Sequence, residues 1–347
     1  MEGRVLPPVP TPCIRVLVPS NRRSPVPSTP PLAVDALHRS LADWFAAEGR
    51  DLPWRSPDCS PWGVMVSEFM LQQTPVVRVL PVWEEWMRRW PTPADLAVEP
   101  SGEAVRAWGR LGYPRRALRL SEAARRITEE HGGHVPASYA DLLALPGIGS
   151  YTAAAISCFA FGIPETVVDT NIRRVHARLI GGRALPEPSH TAAEARLAAD
   201  LMPAVDHDGG ELACTWNAAV MELGALVCTA RSPRCGQCPV SASCAWVAAG
   251  RPAPHYVPKA QAWAGTDRQV RGAMMAVLRD SDEPVAVQTL LAGGTTSSAS
   301  AASDAAGTAL LHLGGLAADL VQRQRCLRSL LADGLAVDSG VGIALPH

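Results

Sequence analysis

The chain has almost no lysine. One stands at Lys259, and apart from histidine every other cationic side chain in the 347 residues is arginine. Any mechanism that needs a lysine amine within residues 1–258 is thereby excluded. Aromatic residues are also scarce, with four phenylalanines and four tyrosines, and no phenylalanine falls within 268–347. No apolar run is long enough to span a membrane. Prolines interrupt the N-terminus where a secretory signal would carry its apolar core. Nine cysteines with no such signal point to a reducing cytoplasm. The formal net charge of -1 rules out a polycation, so any affinity for a polyanion must come from local charge.

Apolar residues make up 47% of the chain, enough for a sizeable core. Residues 1–31 are dense in proline and are expected to be disordered or extended. From Leu32 to about Ala249 the apolar periodicity is helical, with Pro and Gly at the breaks. Expected helices include Leu32–Ala47, Trp62–Gln73, Val76–Trp90, Pro93–Ala97, Ser101–Trp108 and Pro114–His131. They continue with Tyr139–Ala144, Ser150–Phe161, Asn171–Ile180, Thr191–Met202 and Glu211–Leu226. The fold class is all-α. Residues 258–267 read as a linker. Residues 268–347 read as helices followed by a short hairpin, a winged-helix-like unit with a flexible Gly/Ala/Ser/Thr insert at 292–308.

Cys228, Cys235, Cys238 and Cys244 are crowded as metal ligands are. Spacing alone leaves a four-thiolate zinc site or a [4Fe-4S] cluster. Seven arginines between 105 and 126 face one acid, Glu122, and Arg173, Arg174, Arg178 and Arg183 form a second group. Such groups are either solvated helix faces or a surface for a polyanion. Leu145-Pro146-Gly147-Ile148-Gly149 lies between two helical stretches. Its glycines let the backbone turn tightly, and the next helix would offer free N–H groups to an anion. An ordinary helix–helix turn is the plain alternative.

Glu68 is embedded in an apolar helix, where desolvation raises a carboxyl pKa toward what a general acid at neutral pH needs. A buried structural ion pair would look the same. Asp169 reads as a helix N-cap, a position that favours the ionised form. One protonated and one ionised carboxyl form the pair that cleaves glycosidic bonds.

The ordered motifs at 52–55, 67–74, 111–113, 145–153, 168–175, 221–228 and the four-cysteine loop resemble the MutY-type adenine DNA glycosylases. These belong to the helix-hairpin-helix superfamily with endonuclease III. The resemblance covers about residues 32–257. It implies a two-lobed catalytic region, with residues 52–164 as one lobe and 32–51 plus 165–257 as the iron-sulfur lobe. It also implies a [4Fe-4S] cluster, and removal of adenine mispaired with 8-oxoguanine or guanine in double-stranded DNA. By this resemblance Glu68 is the general acid, Asp169 the oxocarbenium stabiliser, and Tyr151 and Asn171 supporting groups. Arg50, Leu52, Trp54, Arg55 and Glu222 line the adenine pocket. Gln73 and Tyr113 insert into the duplex beside the oxidised guanine, where a base has been extruded. Pro146, Gly147 and Gly149 meet a phosphate, and Arg231 and Arg234 do so from the cysteine loop.

Endonuclease III-like lyases carry a lysine where this chain has Tyr151. A monofunctional glycosylase follows, and Asn171 in place of a histidine leans the same way. The expected molecule is a monomeric, nucleoid-associated bacterial enzyme. Rival readings are a pyrimidine-specific lyase and a non-catalytic iron-sulfur DNA-binding protein. Many family members carry a Nudix-like C-terminal domain; residues 268–347, short for it and without phenylalanine, are expected to form a winged-helix-like unit instead. Recognition of 8-oxoguanine then falls to the catalytic region or to the tail.

Overall fold

The computed structural model describes residues 34–205, 209–257, 262–293 and 304–347. The proline-rich residues 1–31 and Lys259 lie outside the described residues. Helices α1 (Val34–Glu48), α2 (Pro61–Leu71), α3 (Val76–Arg89), α4 (Pro93–Ala97), α5 (Ser101–Trp108) and α6 (Arg115–Glu130) come first. They are followed by α7 (Tyr139–Ala144), α8 (Ser150–Phe161), α9 (Thr170–Leu179), α10 (Ala192–Asp200), α11 (Glu211–Leu226) and α12 (Ala245–Ala248). None is long and apolar enough to cross a membrane among the described residues.

Two helices form the centre because their sequences leave no polar face. Every residue of α2 from Trp62 to Met70 is buried, and so is every residue of α8 from Thr152 to Cys158. Ser60 caps α2 by accepting from the Gly63 amide, with Pro61 in the first turn, where its missing N–H costs nothing. α2 and α8 pack on each other. Around them the tryptophans fill space: Trp86 meets Trp90 and Trp108 edge-on, with ring centroids 4.9 and 5.6 Å away. α1 returns from the start of the chain to pack against α11, which also packs on α9. Gly224 allows that approach, since a Cβ there would lie 2.6 Å from the Cβ of Asn171.

The C-terminal part begins with α13 (Asp267–Asp280), capped by Thr266, and α14 (Val287–Ala292). Helices Asp304–Gly314 and Leu320–Ala332 follow, then strands β1 (Val337–Asp338) and β2 (Ile343–Ala344). The strands are antiparallel with Val337 opposite Ala344, and Val285 bridges to Ile343. The insert expected over 292–308 is shorter than that. Ala292 still belongs to α14, and Asp304–Gly314 is helical because Ala306, Ala309, Leu310 and Leu313 fall on one buried stripe. Residues 294–303 lie outside the described residues.

Residues 34–347 form one unit, in which one hydrophobic cluster runs from Leu52 to Leu345 while the buried Leu41, Ile172, Trp216 and Leu223 of α1, α9 and α11 lie outside it. The amide of Gly102 donates to the carbonyl of Pro346 at 2.7 Å, and a Cβ at Gly102 would lie 2.3 Å from that oxygen. Arg106 reaches across to the carbonyls of Arg279 and Ser281. Truncating the central Trp86 to alanine is expected to cost about 3–5 kcal/mol in denaturant unfolding. A loss below about 1 kcal/mol would contradict this packing.

Candidate active site and cysteine loop

Glu68 sits on the inner face of α2 and is 6% exposed. The hydroxyl of Tyr151, in the first turn of α8, donates to its Oε2 at 3.0 Å. Burial pushes the Glu68 carboxyl up to about 7; the Tyr151 hydrogen bond opposes this, the Asp169 charge adds to it, and Arg55 pulls the other way. Two carboxyls 101 positions apart are therefore brought within electrostatic reach. Burial likewise raises Tyr151 well above the usual phenol value, with Glu68 and Asp169 adding to the effect.

Asp169 caps α9, accepting from the Ile172 amide at 2.6 Å through Oδ1 and from Asn171 Nδ2 at 2.8 Å through Oδ2. Burial raises its pKa, and these bonds restrain the rise. Behind it runs a hydrogen-bonded chain. Arg174 donates to Asn171 Oδ1 at 2.7 Å, to the Gly224 carbonyl at 2.7 Å and to the Cys228 carbonyl at 2.8 Å.

Arg50, Arg55 and Glu222 come together. Glu222 is 1% exposed; Arg50 grips it with two side-chain bonds of 2.7 Å and Arg55 adds one of 2.9 Å. Burial alone would raise this carboxyl, but the two guanidiniums hold it at about 2. Leu52 and Trp54 are buried in the adjoining core, where Trp54 meets Trp83 edge-on at 5.6 Å.

Gln73 and Tyr113 stand apart from this group, at the tips of two turns, and both are exposed. They are two of three non-glycine residues with positive φ among the described residues, at 55° and 50°. The buried Arg116 joins the turns. It donates to the carbonyls of Phe69 and Gln72 at 2.8 and 2.7 Å, to Thr74 at 3.3 Å and to the Gly112 carbonyl at 3.2 Å. Burial lowers Arg116 to about 10.

In the loop at 145–149, Leu145 and Ile148 are buried while Gly147 and Gly149 are exposed. Gly147 needs its positive φ of 80°, and a Cβ there would lie 2.7 Å from Arg119 Cβ. Gly149 precedes α8 with no side-chain cap and open space beside it. The first amides of α8 are thus accessible, as an anion site requires. Pro146 is half-buried between these glycines and Leu145.

The four cysteines surround a small apolar cavity closed by Arg178, Pro233 and Trp246. Among the described residues no three Cys, His, Asp or Glu side chains gather as a single-ion site. Thiols ringing a space, rather than meeting at a point, suit a polynuclear cluster better than one zinc ion. Arg178 donates to Cys228 Sγ at 3.3 Å and to the Thr229 carbonyl at 2.7 Å, and its guanidinium lies 4.8 Å from the Trp246 ring. Burial, with the neighbouring thiols, pushes Cys238 up to about 11, so a cationic group is needed to hold this sulfur as a thiolate.

One expectation about arginines needs correction. The group 173–183 is not a patch facing a polyanion: Arg174 and Arg178 are buried on loop carbonyls, Arg173 pairs with Glu194, and Arg183 pairs with Glu187. Arg231 and Arg234 are both exposed, and one Arg234 nitrogen also donates to the Leu226 carbonyl, because the last carbonyls of α11 lack helical partners. Sequence reasoning missed Arg116, Arg174 and Arg178 as organising residues. The one available signal was that Arg174 and Arg178 lie four apart on the helix that Asp169 opens.

A model of the HhH-GPD superfamily base excision DNA repair proteins matches residues 66–199, and one of the iron-sulfur binding domain of endonuclease III matches 228–244. The adenine DNA glycosylase of Mycobacterium tuberculosis is 46% identical over 309 residues, covering 88% of this chain and 92% of that one. The chain belongs to the adenine DNA glycosylase family. The human adenine DNA glycosylase is 43% identical over 222 residues, which is 61% of this chain and 39% of the human one. The mycobacterial match is too long to fit within residues 1–257, so it continues into the C-terminal helices. Among solved structures, a thermostable thymine-DNA glycosylase aligns with TM-score 0.55 and 29% identity over 62% of this chain and 97% of its own. An endonuclease III–DNA complex aligns with TM-score 0.52 over 62% and 96%, and at 22% identity it shows the fold alone.

The loop carries a [4Fe-4S] cluster, and Cys228, Cys235, Cys238 and Cys244 are the residues that would hold it. Bound there, the cluster would tie the loop against α9 and α11. Elemental analysis of anaerobically purified protein should give about four irons per chain. Cys238→Ser should lower that content and the thermal midpoint together; stoichiometric zinc in the native protein would refute the assignment.

Proposed function

We propose that the protein removes adenine mispaired with 8-oxoguanine or guanine in duplex DNA, acting as a monomer and leaving an intact abasic site. The observation that carries this reading is the Glu68 carboxyl, buried and held at about 7 beside Tyr151 and within reach of Asp169. Near neutral pH a group at that value is partly protonated, so it can donate a proton to the extruded adenine. The C–N bond then breaks with its electron pair leaving on the base. The sugar becomes an oxocarbenium ion, which the ionised Asp169 stabilises until water adds. Tyr151 fixes the Glu68 rotamer, and Asn171 holds Asp169 toward the sugar. Arg50, Arg55 and Glu222 form a rigid polar edge that suits the hydrogen-bonding edge of a purine. Gln73 and Tyr113 are the groups that fill the gap in the duplex. Gly147, Gly149 and the first turn of α8 bind a backbone phosphate.

Helix α13, the Val285 bridge, three further helices and the β1–β2 hairpin follow the order of a winged-helix unit, and we assign residues 268–347 to that class.

Glu68→Gln should reduce single-turnover adenine release by at least about 10²-fold while duplex affinity stays within a few-fold. Retained excision refutes the acid assignment. The rate should be highest below about pH 7 and fall as Glu68 deprotonates above it. A profile flat from pH 6 to 8 would contradict the protonated-acid role. Borohydride should trap no covalent adduct, because the residue beside Glu68 is a phenol and not an amine.

A further inference from the structure

Away from the cysteine loop, two more thiols meet. Cys158 stands in the last turn of α8 and is buried; Cys214 stands in the opening turn of α11 and is half-buried. The two helices touch. Asn217 lies three residues after Cys214, hence on the same face of α11, and its Nδ2 donates to Cys158 Sγ at 3.4 Å. The Cys214 thiol is a second hydrogen-bond partner of Cys158, so the two sulfurs adjoin across the helix contact. Both are free cysteines, not joined to each other.

The two thiols differ as an attacked and a resolving sulfur must. A small oxidant can reach the half-buried Cys214, whereas Cys158 is shielded. The hydrogen bond with Cys214 holds the Cys158 pKa below the ordinary thiol value, against burial, and the Asn217 bond adds to this. Greater thiolate character makes Cys158 the better attacking group once Cys214 has been oxidised. The site also has a structural reach. Buried Asn217 donates to the Glu165 carbonyl at 2.9 Å and accepts from the Val167 amide at 3.3 Å. Those residues lie on the connection that leads from α8 to Asp169. A covalent link from Cys158 to Cys214 would close a loop that contains Asp169, all of α9 and all of α10.

We propose that Cys158 and Cys214 form a redox site, in which a peroxide converts them to a disulfide that staples α8 to α11. The Cys214 sulfur attacks one peroxide oxygen, the O–O bond breaks, water leaves and Cys214 becomes a sulfenic acid. The Cys158 sulfur then gives up its proton and attacks the Cys214 sulfur, and the hydroxyl leaves as a second water. Two thiols are oxidised and one peroxide is reduced to two waters. A small thiol reverses the step and is itself oxidised to a disulfide. The staple takes conformational freedom from the unfolded chain. The oxidised protein therefore resists unfolding under the conditions in which guanine bases are themselves oxidised.

The test uses the full chain with its cluster loaded, treated with a few equivalents of hydrogen peroxide, alkylated, and digested without reductant. Peptide mass spectrometry should find positions 158 and 214 joined, and dithiothreitol should release them. The visible absorbance of the cluster should persist, and the apparent thermal midpoint should rise by about 5 °C on oxidation. Cys214→Ser keeps a hydrogen-bonding group at the position. It should form no disulfide at Cys158 and gain nothing in midpoint from peroxide; its response to peroxide, not its starting midpoint, is the readout. Both thiols remaining open to alkylation overturns the site, as does Cys214 passing to a sulfinic acid while Cys158 stays a thiol. Disulfides confined to Cys228, Cys235, Cys238 and Cys244, with loss of iron, overturn it too. A joined pair that leaves the midpoint unchanged overturns the staple.

Discussion

A carboxylic acid with almost no contact with water is the constraint on which the rest of the molecule depends. An exposed glutamate would be protonated in only about 0.2% of molecules at pH 7. Held at about 7, Glu68 is protonated in about half of them. That gain needs burial, and burial needs a helix apolar on all sides with other helices around it. α2 supplies the first and α8 the second, and the Tyr151 phenol keeps the carboxyl from being an unpartnered polar group. The opposing influences are balanced rather than maximised. Asp169 raises Glu68 further while Arg55 restrains it, so the group stays poised near neutrality.

The second carboxyl is handled differently. Asp169 is also largely buried and its pKa is raised by burial, but two N–H donors oppose the rise. Those donors are themselves anchored. Asn171 is oriented by Arg174, and Arg174 ends on the Cys228 carbonyl at the root of the cysteine loop. The loop is therefore coupled to the position of a carboxylate far from it along the chain. Displacing the Cys228 carbonyl would free Arg174 and, through Asn171, loosen one of the two bonds on Asp169.

Much of this was legible in the sequence. The helices at 93–97, 101–108, 139–144, 150–161 and 211–226 begin and end where capping, proline and glycine said they would. The central place of Glu68 follows from an apolar run too complete for a surface helix. The arginines were harder to read. A guanidinium on a long stem goes wherever carbonyls are unmet, and that depends on helix ends contributed by distant segments. Charge clustering therefore mistook the inward-turned Arg174 and Arg178 for a surface. The convergence of Glu68 with Asp169 was open for the same reason, since spacing along the chain says nothing about packing between α2 and the start of α9. The left-handed backbone at Gln73 and Tyr113 carries no sequence mark, because neither position is glycine.

That backbone strain has an identifiable compensation. Holding a non-glycine residue at positive φ costs on the order of 1–3 kcal/mol, and two such residues stand at adjoining turns. Both turns end on one buried cation. Arg116 takes carbonyls from the end of α2 and from the Gln72 turn with one nitrogen, and the Gly112 carbonyl with the other. Charge-assisted bonds of this kind contribute about 1.5–3 kcal/mol each, so a few of them outweigh the strain. The arrangement also fixes geometry, because Arg116 binds the same helix end that follows Glu68 by a single residue. The acid and the two exposed side chains are thus parts of one rigid assembly. A duplex seated on Gln73 and Tyr113 would have its extruded base delivered at a set distance from Glu68, without either turn having to find its shape on contact.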